Sequence, residues 1–178
     1  MRAREILIAE DSSFDFLLVE EAFRSAGLPH RLHHVRDGAQ AIAYLSAEPP
    51  FVGQGSRAPP DLLILDLNMP RGGGRDVLSH MRRHAGSKVP VIVLSGAMRP
   101  QEIEEIISSG ASECFIKPAD LCGWIALAQT IHYRWLEELG ERERCCADRP
   151  RSSVSPSLVG NAQSNPTVSG HATTAYKR

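Results

Sequence analysis

The run Leu62, Leu63, Ile64 and Leu65 is apolar without alternation, and it closes on a carboxylate, Asp66. A strand of this kind is buried on both faces, as in a parallel sheet covered by helices on each side. Asn68, Met69 and Pro70 follow as an exit loop, because proline does not belong in a central strand. In open sheets of this kind ligands sit outside the carboxyl ends of the strands, which is where Asp66 falls. Read alone, Asp66 could equally be a turn former that ends its strand.

The same pattern recurs along the chain. Ile6, Leu7, Ile8 and Ala9 end in Glu10 and Asp11; Val91, Ile92, Val93 and Leu94 end in Ser95 and Gly96; Ser112–Ile116 ends in Lys117 and Pro118. A weaker strand is expected over Arg31–Val35. Between these runs, apolar residues recur at helical spacing: Phe14, Leu17, Leu18, Ala22 and Phe23, with Ser12 or Ser13 as cap; Ala41, Ile42 and Leu45 after Asp37 and Gly38; Val77, Leu78 and Met81; Ile103, Ile106 and Ile107. A long fifth helix is expected from Leu121 to Leu139. Arg71–Gly74 reads as a flexible turn, and the Pro-, Gly- and Ser-rich stretch Glu48–Pro60 as an exposed loop. Strand and helix thus alternate five times. The expectation is an α/β fold, a doubly wound five-stranded parallel sheet of order 2-1-3-4-5 (flavodoxin-like) flanked by five helices.

With 42% hydrophobic and 23% charged residues, the composition is that of a soluble globular domain. A net charge of −1 gives no argument for nucleic acid or an anionic membrane, and no apolar run is long enough to span one. The N-terminus lacks the apolar core of a signal peptide, and the cysteines at 114, 122, 145 and 146 lack metal-ligand spacing, so a reducing, cytoplasmic location is expected. We divide the chain into a domain over 4–140 and a Ser/Pro-rich tail over 141–178, mostly disordered or serving as a dimer arm. The tail lacks helical periodicity, so no attached DNA-binding domain is expected.

In a doubly wound sheet the first, third, fourth and fifth strands are neighbours, so Glu10, Asp11, Asp66, Ser95 and Lys117 can converge. Two carboxylates about 4 Å apart repel by roughly 4 kcal/mol at an effective dielectric near 20. A divalent cation would offset that repulsion, and carboxylates with a backbone carbonyl and waters suit magnesium. Such a site can stabilise a phosphoryl group transferred to Asp66 as an aspartyl phosphate. Gly96 has no side chain to obstruct the incoming group.

The set Glu10-Asp11, Asp66 within DLNMP, Ser95-Gly96 and Lys117-Pro118 resembles the receiver domain of two-component response regulators over roughly residues 4–139. The resemblance implies that Glu10, Asp11, Asp66 and the backbone carbonyl of Asn68 hold Mg2+ and that Asp66 accepts phosphate from a histidine kinase. It further implies that Ser95, Gly96 and Lys117 bind the phosphoryl group and that the bond before Pro118 is cis. The Pro-rich loop before PDLLILDLNMPRGGGRDVL, the segment GLPHRLHHVRDG, and Tyr133, Arg134, Trp135 and Leu136 resemble single-domain regulators paired with bacterial and cyanobacterial phytochromes. One position departs from the family: Cys114 stands where an aromatic switch residue is usual, with Phe115 beside it on the other face.

The expected activity is a phosphorylation-controlled switch that catalyses only its own phosphoryl transfer and slow dephosphorylation. A constitutive interaction module is the alternative. An aspartyl-nucleophile phosphohydrolase is weaker, since Asn68 cannot serve as the second acid. His80 and His84 are four apart on a helix but lack a third ligand. Arg71–Gly74 is no phosphate-binding Walker loop. The fifth helix carries more apolar residues than one buried stripe needs. Trp124, Leu127, Ile131 and Trp135 are therefore the expected face of a homodimer, the alternative being that they cover the edge of the core or contact the tail.

Overall fold

The structure is a computed structural model and describes residues 3–51, 59–84 and 89–137. In chain order the elements are β1 (Arg4–Ala9), α1 (Ser13–Ser25), β2 (His30–Val35), α2 (Gly38–Leu45), β3 (Leu62–Asp66), α3 (Gly74–Arg83), β4 (Val91–Ser95), α4 (Pro100–Ser108), β5 (Glu113–Ile116) and α5 (Leu121–Ile131). A π-helical stretch, His132–Glu137, continues α5. All strand pairs are parallel and the order is β2-β1-β3-β4-β5, as expected.

The absence of polar alternation in β1, β3 and β4 has a direct cause, since both faces of these strands are covered. Ile6, Ile8, Leu62, Ile64, Ile92 and Leu94 point to one side, where Val19 and Phe23 of α1 and Trp124, Leu127, Ala128 and Ile131 of α5 meet them. Leu7, Ala9, Leu63, Leu65, Val91 and Val93 point to the other, against Ala41 of α2, Val77 and Leu78 of α3 and Ile106 of α4. Cys114 packs on this second side and Phe115 on the first, so the two residues do face opposite layers.

The expected dimer face needs correction. Trp124, Leu127 and Ile131 are 3%, 8% and 1% exposed, and all belong to the core between α1, α5 and the sheet. Trp135 packs against that core, and its indole N–H donates to Glu113 Oε2 at 2.9 Å. The surplus apolar residues of α5 are used because α5 packs on the sheet and also against the flank of α1, so more than one stripe is covered. Among the described residues the exposed large apolar side chains are others: Phe14 and Leu17 on α1, Ile103 and Ile107 on α4, Ile116, Leu121 at the start of α5, and Tyr133.

The reading of Arg71–Gly74 as a flexible turn also changes. A Cβ on Gly38 would overlap the Gly72 carbonyl oxygen, and one on Gly74 would lie 2.5 Å from the Asp66 carbonyl oxygen. These glycines permit backbone to approach backbone. Arg71 takes φ +49°, and its guanidinium donates to Asp37 Oδ2 at 2.6 Å and 3.1 Å, fastening the β3–α3 loop to the start of α2. The Lys117–Pro118 bond is not cis; the cis bond among the described residues joins Pro49 and Pro50, and trans is the ordinary state of an X–Pro bond. The centre of the Pro-rich loop (52–58), the expected end of the fifth helix at Leu139, Cys145, Cys146 and the tail over 141–178 lie outside the described residues.

Candidate phosphoacceptor site

Parallel pairing brings the ends of β1, β3, β4 and β5 to one edge. Ala9 pairs with Leu65, Asp66 with Leu94, and Ser95 with Ile116, so the residues that follow each strand emerge together. Carboxylate oxygens of Glu10, Asp11 and Asp66 lie within 4.8 Å of one another. Glu10 and Asp66 are buried, whereas Asp11 is exposed at the rim. Lys117 reaches over β4 into this cluster. Its Nζ donates to Glu10 Oε2 at 2.8 Å, to Asp66 Oδ2 at 3.0 Å and to Asp15 Oδ2 at 2.8 Å.

Burial alone would disfavour the Lys117 ammonium, but the bonds to Asp15, Glu10 and Asp66 outweigh it and push its pKa above the ordinary lysine value. Glu10 goes the other way for an acid. Burial raises its pKa to about 7, the bond from Lys117 works against that rise, and the charge of Asp66 adds to it. A buried glutamate beside a second carboxylate is a site short of positive charge. The donor set, acidic oxygens gathered at one point with an exposed member at the rim, fits a hard divalent cation bound through carboxylates and waters.

The remaining predicted residues fall around this centre. The backbone N–H of Asn68 donates to Asp66 Oδ1 at 3.1 Å, and its side chain is exposed. Ser95 is buried, and its hydroxyl donates to the Ala97 carbonyl at 3.0 Å. Gly96 is exposed, and a Cβ there would meet nothing. Pro118 lies against the first turn of α5, where a Cβ on Gly123 would come within 2.7 Å of it. Burial raises the pKa of the Cys114 thiol, with the charge of Glu113 adding to it. His80 on α3 and His84, which ends that helix, have their rings 4.2 Å apart, with no third ligand gathered beside them among the described residues.

Two contributors escape sequence reasoning. Asp15 is held in the first turn of α1 by Ser12, which caps that helix through the Asp15 N–H. The available signal is its place in the first turn of a helix that starts just after the acidic pair. His34 on β2 donates through Nε2 to the Glu10 carbonyl at 2.8 Å, and its ring stacks on Phe16 at 3.8 Å. A carbonyl can only accept, so Nε2 carries the proton.

Residues 6–126 match the family of response regulator receiver domains. The chain belongs to that family. It is 31% identical over 134 residues to the response regulator Rcp1 of Synechocystis, covering 74% of this chain and 88% of that one. The crystal structure of the Mn2+-bound form of Rcp1 aligns with a TM-score of 0.66 at 30% identity, over 75% of this chain and 95% of the other. The phosphorylated cyanobacterial phytochrome response regulator RcpA aligns with a TM-score of 0.69 at 31% identity, over 77% and 96% of the two chains. This receiver shares their fold, and its acidic edge lies where β1 and β3 end. Among the described residues no helix is long and apolar enough to cross a membrane.

Proposed function

We propose that the receiver works as a phosphorylation-controlled switch in which Asp66 is the phosphoryl acceptor and a histidine kinase of the phytochrome type is the donor. The observation that carries this reading is the contact of a 6% exposed Asp66 with the Lys117 ammonium inside an acidic cluster at the sheet edge. An Asp66 carboxylate oxygen attacks phosphorus, the O–P bond forms, and the P–N bond breaks. The imidazole, protonated on its other nitrogen, leaves neutral with the bonding electron pair. Lys117 Nζ remains beside the reacting oxygen to hold negative charge. Ser95 turns its hydroxyl from the Ala97 carbonyl towards a phosphoryl oxygen, which carries the change into the loop after β4.

Glu10, Asp11, Asp66 and the backbone carbonyl of Asn68 would hold Mg2+, which when bound neutralises charge on phosphoryl oxygens. His34 fixes the backbone of Glu10 for that purpose. Phe14 and Leu17, 69% and 57% exposed on α1 beside the site, offer the kinase an apolar docking surface. The likeness to Rcp1 and RcpA supports the phytochrome pairing, and we place the switch in the cytoplasm. A homodimer of this chain would use Ile116, Leu121 or Tyr133 in place of the buried residues of α5. The receiver catalyses its own phosphoryl transfer and slow loss, and no external turnover.

The test is incubation with a small acyl phosphate and magnesium, followed by intact mass. The protein gains one labile phosphoryl group and Asp66→Asn gains none; equal labelling of the variant would remove Asp66 from the acceptor role.

A further inference from the structure

An ammonium has three N–H donors. In this structure all three donors of Lys117 are taken by carboxylates, from Glu10, Asp66 and Asp15. Glu10 and Asp66 are given roles in the proposed phosphoryl site, whereas Asp15 is given none beyond its contact with Lys117. It comes from a different element, the first turn of α1, and its side chain is the most exposed of the three at 26%. An acid in a first helical turn often serves only the helix dipole. Asp15 does more than that, because its carboxylate turns back over the strand ends to reach Lys117.

We propose that Asp15 is a positioning residue that restrains phosphoryl acceptance: it draws the Lys117 ammonium towards α1 and adds a further negative charge to a pocket that must admit an anion. The inference rests on the reading of Asp66 as the acceptor. Both effects act in one direction. A donor bond given to Asp15 is not available to a phosphoryl oxygen. The carboxylates of Asp15 and Asp66 share one ammonium, so they lie close enough for the charge of one to oppose a phosphoryl group arriving at the other. The residue sets how readily the switch is charged, acting through Lys117.

The experiment compares initial rates of labelling by a small acyl phosphate, at saturating magnesium, for the intact protein, Asp15→Asn and Asp15→Glu. Asparagine keeps the size and an acceptor oxygen but removes the charge; glutamate keeps the charge. At low ionic strength Asp15→Asn labels about three- to tenfold faster than the native protein, a range set by one unit charge held partly in water. Asp15→Glu stays near the native rate. The advantage of Asp15→Asn shrinks as salt rises, because screening weakens the lost repulsion. A residue that only supports α1 would shift melting temperature without this dependence on charge and salt.

Labelling of Asp15→Asn at or below the native rate overturns the proposal, as does a rate gain independent of salt. If Asp15→Asn does not fold, Asp15→Ser makes the same comparison. If the native protein does not label at all, the acceptor reading fails and this inference with it. A native protein that labels, beside a variant that gains nothing, refutes the role of Asp15 alone.

Discussion

Lys117 Nζ lies 3.0 Å from Asp66 Oδ2, although the strands that carry the two residues are not neighbours: β4 runs between them. Lys117 leaves β5 hydrogen-bonded through its backbone N–H to the Ser95 carbonyl, and its long side chain spans the width of one strand. The pair therefore exists only when β3, β4 and β5 are in register.

That contact predicts a stability effect with a defined sign in pH. Lys117→Met leaves Glu10 and Asp66 without their cation, and breaking a buried pair in this way costs about 3 kcal/mol. Glu10 holds its proton up to a pH of about 7 in the folded protein, against 4.5 for the ordinary value. An acid whose folded pKa is raised stabilises below the unfolded value, and that contribution is lost as pH rises from 4.5 through 7. Without Lys117 the loss deepens, because the bond that held the pKa down is gone. Urea unfolding at pH 4.5 and pH 8 should show a small gap between native and variant protein at the lower pH and a large one at the higher. Magnesium should narrow the gap at pH 8.

The glycines of the β3–α3 loop predict a second effect. Gly74→Ala would put Cβ 2.5 Å from the Asp66 carbonyl oxygen and 2.8 Å from Leu67 Cα, both of them backbone atoms that cannot turn aside. We expect a loss of about 2 kcal/mol or more in chemical unfolding and slower labelling of Asp66. Gly96→Ala is the control. Its Cβ meets nothing, so stability should stay within about 0.5 kcal/mol of native.

Trp124→Ala should act on folding. With its side chain in the core between α1 and α5, truncation is expected to cost about 3–5 kcal/mol. The oligomeric state of whatever remains folded, measured by light scattering over a range of concentrations, should not change. A stable variant with altered self-association would restore Trp124 to the surface.

His30 predicts the opposite pH trend from Glu10. Burial, and then the neighbouring His132, push its pKa from 6.5 down to about 4. The folded protein thus refuses a proton that the unfolded chain accepts. Its contribution to stability is complete above pH 6.5 and is lost as pH falls through 4. After allowance for its partial exposure this amounts to about 2 kcal/mol. His30→Gln should lose that much less than the native protein between pH 7.5 and pH 4.5, read as the difference between paired denaturation curves. Parallel curves would show that His30 is protonated without cost.

The strand ends carry most of what the sequence determined. Glu10, Asp11, Asp66, Ser95 and Lys117 each follow a short apolar run, and a doubly wound sheet places such positions at one edge whatever the details of packing. The order of strands and the identity of the central acid are legible for the same reason: burial on both faces leaves a local mark, the unbroken apolar run. What the chain could not show locally was decided by distant approach. Trp124, Leu127 and Ile131 read as surplus because a helical projection does not know that α1 packs beside α5 on the same face of the sheet. The glycines at 72 and 74 read as freedom, when the tertiary structure uses them, with Gly38, for contact between backbones. Asp15 reads as an ordinary first-turn acid until Lys117, from the far end of the domain, arrives 2.8 Å away. Periodicity and strand ends are properties of neighbours in the chain. Burial on a second face, backbone clearance and the third partner of an ammonium depend on residues brought together only by the fold.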